Sequence, residues 1–322
     1  MRDIGKAYEI IEAAKNAGAD AIKLQTYTAD SLTIDCSKKD FLIPDKLWAG
    51  STYYQLYSEI TMPTDWNGLL FEKAKSVGIT IFSSPFDDAS VDLLEALGCP
   101  AYKIASFESR DPYFLKKVAG TKKPIILSTG VSNLNDIQES LNVLRACDSG
   151  PVAVLHCVSG YPSSTVDMNL AVLRKLQDLD CAAIGLSDHT RTNTAALLSV
   201  ALGGRVIEKH FTLRRSDGGP DAAFSLEPHE FLKLRISIDE AFDAMGKSSA
   251  INEPRLGRHF ARSLYFVKDL CAGTIISETD VRIIRPGFGL QPKYKDRVIG
   301  SKLAKDVEKG DRVTWEKILL SK

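Results

Sequence analysis

Seven short apolar runs, spaced out by longer amphipathic stretches, narrow what this chain can fold into more than any other feature. The runs are Ala21-Ile22-Lys23-Leu24, Ile79-Thr80-Ile81-Phe82, Ala101-Tyr102-Lys103-Ile104, Ile125-Ile126-Leu127, Val152-Ala153-Val154-Leu155, Ala183-Ile184-Gly185-Leu186 and Val206-Ile207-Glu208. Each has strand length and is bounded by turn or polar residues. Between them lie helical periods, such as Ala7, Ile10, Ile11 and Ala14, or Val91, Leu93, Leu94 and Leu97. Such alternation builds parallel strands joined by right-handed helical crossovers. With 322 residues, the chain has room for a barrel of typically ~250 residues and a small further module.

An eight-stranded barrel is the natural closure, and the count falls one short. A helix comes first, and residues 1–4 cannot supply a strand before it. The expected fold is therefore α/β, a (β/α)8 TIM barrel lacking its first strand, over residues 1–246. Such a gap leaves two unpaired edges. Residues 247–261 change character, with Ser248, Ser249, Asn252, Pro254 and Gly257, and read as a linker. Residues 262–322 form a compact tail that begins with the strand-like Ser263-Leu264-Tyr265-Phe266-Val267 and turns at Gly273, Pro286-Gly287 and Gly310. Its size is near the lower limit for an independent core, so it is expected to lean on another surface. Residues 28–63, with Phe41, Trp48, Tyr53, Tyr54 and Tyr57, read as a long irregular connection, either a lid or partner-binding arm or a packed surface excursion.

Forty-one basic residues balance 41 acidic ones, which gives no electrostatic reason to expect nucleic acid or a membrane surface as partner. No run approaches the ~20 apolar residues of a membrane span, and no apolar leader follows Met1, so the expected location is cytoplasmic. Cys36, Cys99, Cys147, Cys157, Cys181 and Cys271 are scattered, without a C-x-x-C pair. They suggest neither a zinc knuckle nor a disulfide framework and read as structural thiols.

In parallel barrels the chemistry sits at the carboxyl ends of the strands. Those ends here carry Lys23 and Gln25; Ser83 and Ser84; Lys103, Ser106 and Glu108; Ser128, Thr129 and Gly130; His156 and Ser159; Ser187, Asp188 and His189; and Lys209 and His210. The hydroxyl clusters with Lys103 suggest an anion cradle, with the backbone N–H groups of Ser128-Thr129-Gly130 approaching a phosphate. Ser-Thr-Gly alone is also ordinary turn chemistry. His189 and His210 end neighbouring strands one βα unit apart and could converge on a divalent metal with open positions, although a single histidine is more often a plain hydrogen-bonding group. His156 reads as core, and His229 and His259 as surface. Glu108 and Asp221 are the carboxylates best placed to hold sugar hydroxyls or move protons. Asp221, within Gly218-Gly219-Pro220-Asp221, could equally be a turn former.

Six ordered motifs resemble the sialic acid synthase family. They are Phe82-Ser83-Ser84-Pro85-Phe86-Asp87, Tyr102-Lys103-Ile104-Ala105-Ser106-Phe107-Glu108, Leu127-Ser128-Thr129-Gly130, Gly185-Leu186-Ser187-Asp188-His189-Thr190, Glu208-Lys209-His210-Phe211-Thr212 and Gly219-Pro220-Asp221. The tail with Ile284-Arg285-Pro286-Gly287-Phe288-Gly289 resembles that family's antifreeze-like (SAF) domain. Within the family the wording is closest to pseudaminic acid synthases and their spore-coat polysaccharide relatives. The resemblance implies a metal-dependent condensation of phosphoenolpyruvate with a 2-acetamido sugar, giving a nonulosonic acid and phosphate.

By the same resemblance, His189 and His210 hold the divalent ion, Mn²⁺ or Mg²⁺. Ser84, Lys103, Ser106, Ser128, Gly130, Ser159 and Ser187 hold phosphoenolpyruvate. Lys23, Gln25, Glu108, Tyr161 and Asp221 face the sugar, and Lys23, Glu108, Tyr161 and Asp221 are the candidate catalytic groups. The implied assembly is a domain-swapped homodimer in which Arg285 of one subunit reaches the sugar of the other. Family members begin with a strand carrying an Ala-Glu-Ile-Gly/Ser-x-Asn-His motif, and nothing before Lys6 matches it. Two other readings follow from the residues: a ligand-binding barrel without turnover, and an aldolase with a Schiff base at Lys103.

Overall fold

The computed structural model describes residues 3–43, 50–160, 162–253 and 255–319. Tyr161, Trp48 and Pro254 lie outside the described residues. The chain divides into two compact units, Met1–Gly246 and Lys247–Lys322, so the stretch read as a linker belongs with the second.

In the first unit the elements run in chain order: α1 (Ile4–Asn16), β1 (Ala21–Thr26), α2 (Ala29–Leu32), α3 (Tyr53–Ile60), α4 (Trp66–Val77), β2 (Thr80–Pro85), α5 (Asp88–Ala96), β3 (Tyr102–Ile104), α6 (Pro112–Ala119), β4 (Ile125–Ser128), α7 (Leu134–Ala146), β5 (Val152–Cys157), α8 (Leu173–Leu176), β6 (Ala183–Asp188), α9 (Thr194–Ala201), β7 (Val206–Lys209) and α10 (Pro228–Met245). All seven strands are parallel and lie in sequence order, β1-β2-β3-β4-β5-β6-β7. Among the described residues, β1 and β7 each have a strand neighbour on one side only. The helical layer nevertheless continues past that opening, because α1 packs on both α4 and α10, and Lys6 of α1 lies 3.6 Å from Asp217.

Local sequence explains the helix starts. Asp87 accepts from the Ser90 N–H at 2.8 Å ahead of α5. Asp111 accepts from Tyr113 and Phe114 ahead of α6, whose first residue is Pro112. Each such cap is worth about 1 kcal/mol. The same chemistry corrects the expectation of an irregular connection at 28–63. Thr28 with Ser31 and Thr52 with Gln55 form reciprocal capping boxes that start α2 and α3. Their brevity hid them, since one or two turns show too few apolar repeats to register as a period.

The main core lies between the outer face of the sheet and the helices, with Leu70, Ala74, Ile81, Val91, Leu94, Tyr102, Ile104, Leu115, Val118 and Leu127 buried together. Alternate strand residues point the other way, into the barrel. There the chain places Lys23, Ser84, Lys103 and Glu208 instead of apolar groups. No helix of the described residues is long and apolar enough to cross a membrane.

The second unit has its own core of Leu264, Phe266, Ile276, Val281, Val298, Leu303, Val307, Val313 and Ile318. Its elements are β8 (Ser263–Phe266), β9 (Val281–Ile284), α11 (Lys295–Val298), β10 (Lys302–Leu303) and β11 (Ile318–Leu319), with β8 antiparallel to β9 and β10 to β11. Arg285 follows β9 directly.

Candidate active site

The period-two alternation of the strands sorts the polar strand ends into two sets. Thr26 and Ser83 turn outward and share a buried hydrogen-bond cluster with Asn67, Thr26 Oγ1 lying 2.7 Å from both Asn67 Oδ1 and Ser83 Oγ. Ser83 therefore fastens a strand to α4, and Ser84 beside it is the group that faces the barrel interior. On β3, Tyr102 turns outward and donates to Glu95, which leaves Lys103 pointing inward, only 2% exposed.

Five buried side-chain polar atoms among the described residues have no hydrogen-bond partner, and four of them are Ser84 Oγ, Glu108 Oε2, Ser128 Oγ and Ser159 Oγ. The fifth is Ser199 Oγ on α9. Buried polar groups are nearly always satisfied, so four orphans on four successive strand ends call for a polar ligand. Gly130 completes the cradle. Its N–H donates to Ser106 Oγ at 3.0 Å, and a Cβ at this residue would stand 2.3 Å from Ser159 Oγ, 2.9 Å from Ser106 Oγ and 3.2 Å from Cys157 Sγ. Cys157 thus lines the cradle wall beside Ser106 and Ser159. All six are free thiols, and Cys271 is exposed.

Charge is concentrated at the same place. Burial pushes the Lys103 ammonium down to about 8, partly offset by Glu208 and reinforced by Lys23. Lys103 Nζ donates to the Ile104 carbonyl at 3.0 Å. Glu208, to which the sequence reading gave no role, accepts from Ser187 Oγ at 2.8 Å and lies 3.3 Å from Lys23 Nζ. Burial alone would raise its carboxyl, but Lys103, Lys23 and the Ser187 hydroxyl together hold it far below the usual carboxylate range. The Lys23–Glu208 pair joins β1 to β7 across the opening in the sheet. Ser187 is thereby committed to Glu208 and Ser106 accepts from Gly130, whereas Ser84, Ser128 and Ser159 keep unpartnered hydroxyls. Burial raises the Glu108 carboxyl above its ordinary value, with Lys103 opposing that. Gln25 is exposed at the mouth, on the same side of β1 as Lys23.

His189 and His210 meet with ring centroids 5.3 Å apart, both against Phe224. His189 Nδ1 lies 3.0 Å from the Val158 carbonyl, and His210 Nδ1 lies 3.5 Å from Asp221 Oδ2. Each ring so turns its Nδ1 toward an oxygen atom, the outer-shell orientation that ligating histidines share. Burial also lowers the His189 imidazolium, favouring the neutral ring a metal needs. Two such imidazoles fit an open divalent site in which substrate and water complete the shell. Among the described residues no three or more His, Cys, Asp or Glu side chains form a closed cluster.

His156 Nε2 instead meets the Met168 carbonyl at 2.6 Å and takes no part in the site. Behind the site, Asp188 and Lys209 pair at 2.9 Å with side chains 0% and 1% exposed, and Asp188 also accepts from the Thr190 N–H. This pair pins the ends of β6 and β7 that carry His189 and His210. Asp188→Ala is expected to cost about 3–5 kcal/mol by stranding a buried cation. Asp188→Ala/Lys209→Met should recover much of that loss in urea unfolding. Equal destabilisation in the single and double variants would refute the pairing account.

Known proteins resemble this chain over most of its length. Residues 10–250 match the NeuB family and residues 261–319 the SAF domain. A pseudaminic acid synthase of Campylobacter jejuni is 42% identical over 307 residues, covering 95% of this chain and 90% of the relative. An N,N'-diacetyllegionaminic acid synthase of Legionella pneumophila is 34% identical, covering 98% and 91%. The crystal structure of the N-acetylneuraminic acid synthetase of Leptospira borgpetersenii superposes with a TM-score of 0.71 at 29% identity, over 80% of this chain and 84% of that one.

Proposed function

This chain belongs to the NeuB family, and on that premise we propose that it condenses phosphoenolpyruvate with a 2,4-diacetamido-trideoxy hexose, giving a nonulosonic acid of the pseudaminic type and free phosphate. The observation that carries this reading is the set of four unpartnered buried oxygens at successive strand ends, in a barrel that also buries the Lys103 ammonium. A compact anion with a phosphate and a carboxylate fits that demand. The higher identity to the pseudaminic acid synthase than to the legionaminic relative supports the choice of acceptor. N-acetylneuraminate and legionaminate formation would run by the same chemistry on another aldose.

The reaction forms a bond between carbon 3 of phosphoenolpyruvate and the aldehyde carbon of the open-chain sugar. The aldehyde oxygen gains a proton. Water then adds at carbon 2 and loses a proton, and the bond from carbon 2 to the bridging oxygen breaks as phosphate leaves. In this proposal Lys103 and the hydroxyls of Ser84, Ser128 and Ser159 hold the enol phosphate, with Gly130 leaving room for it and Ser106 and Ser187 shaping the walls. Glu108, whose burial favours the protonated form, donates to the aldehyde oxygen. Lys23, Gln25, Tyr161 and Asp221 face the sugar. His189 and His210 would hold a divalent ion, Mn²⁺ or Mg²⁺, whose chemistry is to polarise the aldehyde oxygen. A domain-swapped homodimer, with Arg285 contributed by the partner subunit, belongs to the same proposal. Light scattering at the mass of a monomer would remove it.

The test is phosphate release from phosphoenolpyruvate with Mn²⁺ and the diacetamido sugar, with N-acetylmannosamine run beside it. Release with the first sugar is expected, abolished by chelation and restored by adding the ion back. Release with N-acetylmannosamine alone would move the assignment to a sialic acid synthase. Phosphoenolpyruvate binding without release, from folded protein, would favour the ligand-binding barrel.

A further inference from the structure

We propose that Tyr27, Tyr57 and Phe86 form an aromatic wall at the mouth of the barrel, which takes the methyl-bearing side of the acceptor sugar and so decides which amino sugar is used. The pleat places two of the rings. Thr26 turns outward to Asn67, so the next residue, Tyr27, continues on the side of Lys23 and Gln25 at the carboxyl end of β1. Ser83 turns outward in the same way, which sets Phe86 above Ser84, just past the end of β2. The two strands pair in register as far as Thr26 and Pro85. The Tyr27 and Phe86 rings accordingly meet edge to face, with centroids 5.4 Å apart. Tyr57 reaches them from the long connection after β1. Its ring meets Tyr27 edge to face at 6.3 Å and stacks on Tyr53 at 6.1 Å. Thr61, which follows α3, donates to the Tyr27 carbonyl at 2.7 Å and fastens that helix beside the mouth.

Position and exposure give these rings more than a packing role. All three are half-buried, so each keeps part of its surface uncovered. Gln25, proposed to face the sugar, stands two residues before Tyr27 on the same side of β1. The other sugar-side carboxylates are close as well, since Asp221 is among the charges acting on Tyr27 and Glu108 among those acting on Tyr57. Aromatic walls with a few convergent polar groups are the usual make-up of a small-molecule site. The acceptor has the matching chemistry. A 2,4-diacetamido-trideoxy hexose carries two acetamido methyls and a deoxygenated carbon, whereas N-acetylmannosamine carries one acetamido methyl and hydroxyls elsewhere. Against a ring face a methyl gains contact, while a hydroxyl gives up water without a partner. The serines and Lys103, suited to an anion, cannot make that distinction. The aromatic residues of the connection after β1 thereby acquire a task at the site.

This inference rests on the acceptor reading given above, and its test lets the two fail separately. Phosphate release is measured with the diacetamido sugar and with N-acetylmannosamine in wild type, Tyr27→Leu, Tyr57→Leu and Tyr57→Phe. Leucine keeps apolar packing and removes the ring, whereas phenylalanine keeps the ring. Each leucine variant is expected to raise KM for the diacetamido sugar about tenfold, the low end for one apolar contact, with KM for phosphoenolpyruvate moving less than about twofold. The preference over N-acetylmannosamine should shrink by the same factor, and Tyr57→Phe should restore it. Tyr57 lies on a helix outside the sheet, so its variants remain informative if Tyr27→Leu fails to fold. A second readout needs no turnover. In metal-stripped protein loaded with phosphoenolpyruvate, NMR saturation of the ring protons should pass to the acetamido methyls of the sugar, and weaken in the leucine variants. Folded leucine variants with unchanged sugar preference and unchanged transfer would overturn the wall and leave the reaction standing. Wild type that releases phosphate with N-acetylmannosamine alone would overturn the acceptor reading and the wall together.

Discussion

Lys103→Met is expected to lower kcat/KM for phosphoenolpyruvate about a thousandfold, on the order of 4 kcal/mol, while the barrel stays folded. The size follows from the setting. Lys103 is 2% exposed, so its charge acts on a bound anion with little solvent screening. Methionine fills a similar volume and removes a cation whose burial is unfavourable, so the fold loses little. The wild-type pH profile should carry the same signature. Burial holds the Lys103 ammonium down to about 8, and a lysine loses its charge as pH rises through that value. kcat/KM, which reports the free enzyme, should therefore decline on its basic side with a midpoint close to 8. Unchanged kcat/KM in the variant would remove Lys103 from the site. A borohydride-trapped adduct at Lys103 would instead install the Schiff-base reading.

Gly130→Ala should be nearly as damaging for a different reason. Gly130 lies outside the left-handed region that only glycine favours, so alanine meets no backbone penalty there. What it meets is Ser159 Oγ at 2.3 Å and Ser106 Oγ at 2.9 Å. Those hydroxyls can swing away, which protects the fold, but they swing out of the cradle that needs them. A rise of about a hundredfold in KM for phosphoenolpyruvate, roughly 2.7 kcal/mol, is expected with a melting temperature within a few degrees of wild type. A large fall in melting temperature with normal KM would show that Gly130 serves packing alone.

Much of this was legible in the sequence because a parallel barrel turns position along a strand into position in space. Reading the last residues of each apolar run brought out Ser84, Lys103, Ser128, His189 and His210 without any contact information. Three things were not legible that way. Ser83 and Ser84 are adjacent in the chain, and only the direction of the pleat shows that one faces α4 and the other the cavity. α2 and α3 are too short for a hydrophobic period, though their Thr-x-x-Ser and Thr-x-x-Gln capping patterns were present to be seen. Glu208 was passed over as the end of an apolar run. The signal that would have found it is a charge inside a strand-length apolar run, a property it shares with Lys23 and Lys103. Its partner could not be named, because Lys23 lies at the opposite end of the strand order. Tyr161 lies outside the described residues, and the role proposed for Arg285 needs a second subunit.

The bond between Lys23 and Glu208 also bears on how the molecule comes together. Every strand pairing in the sheet joins neighbours in the chain, and each closes a modest loop as soon as its βα unit is made. The contact between β1 and β7, like the packing of α1 on α10, has to wait for all the units between them. It is the contact of greatest sequence separation in the site, and such contacts form late, since their loop entropy is offset only when the intervening structure already stands. The pocket thus matures only with the contacts that bring the two ends of the first unit together. A nascent chain with most of its helices in place would still lack a competent anion cradle, and ligand binding is the property that distinguishes a finished molecule from a nearly finished one.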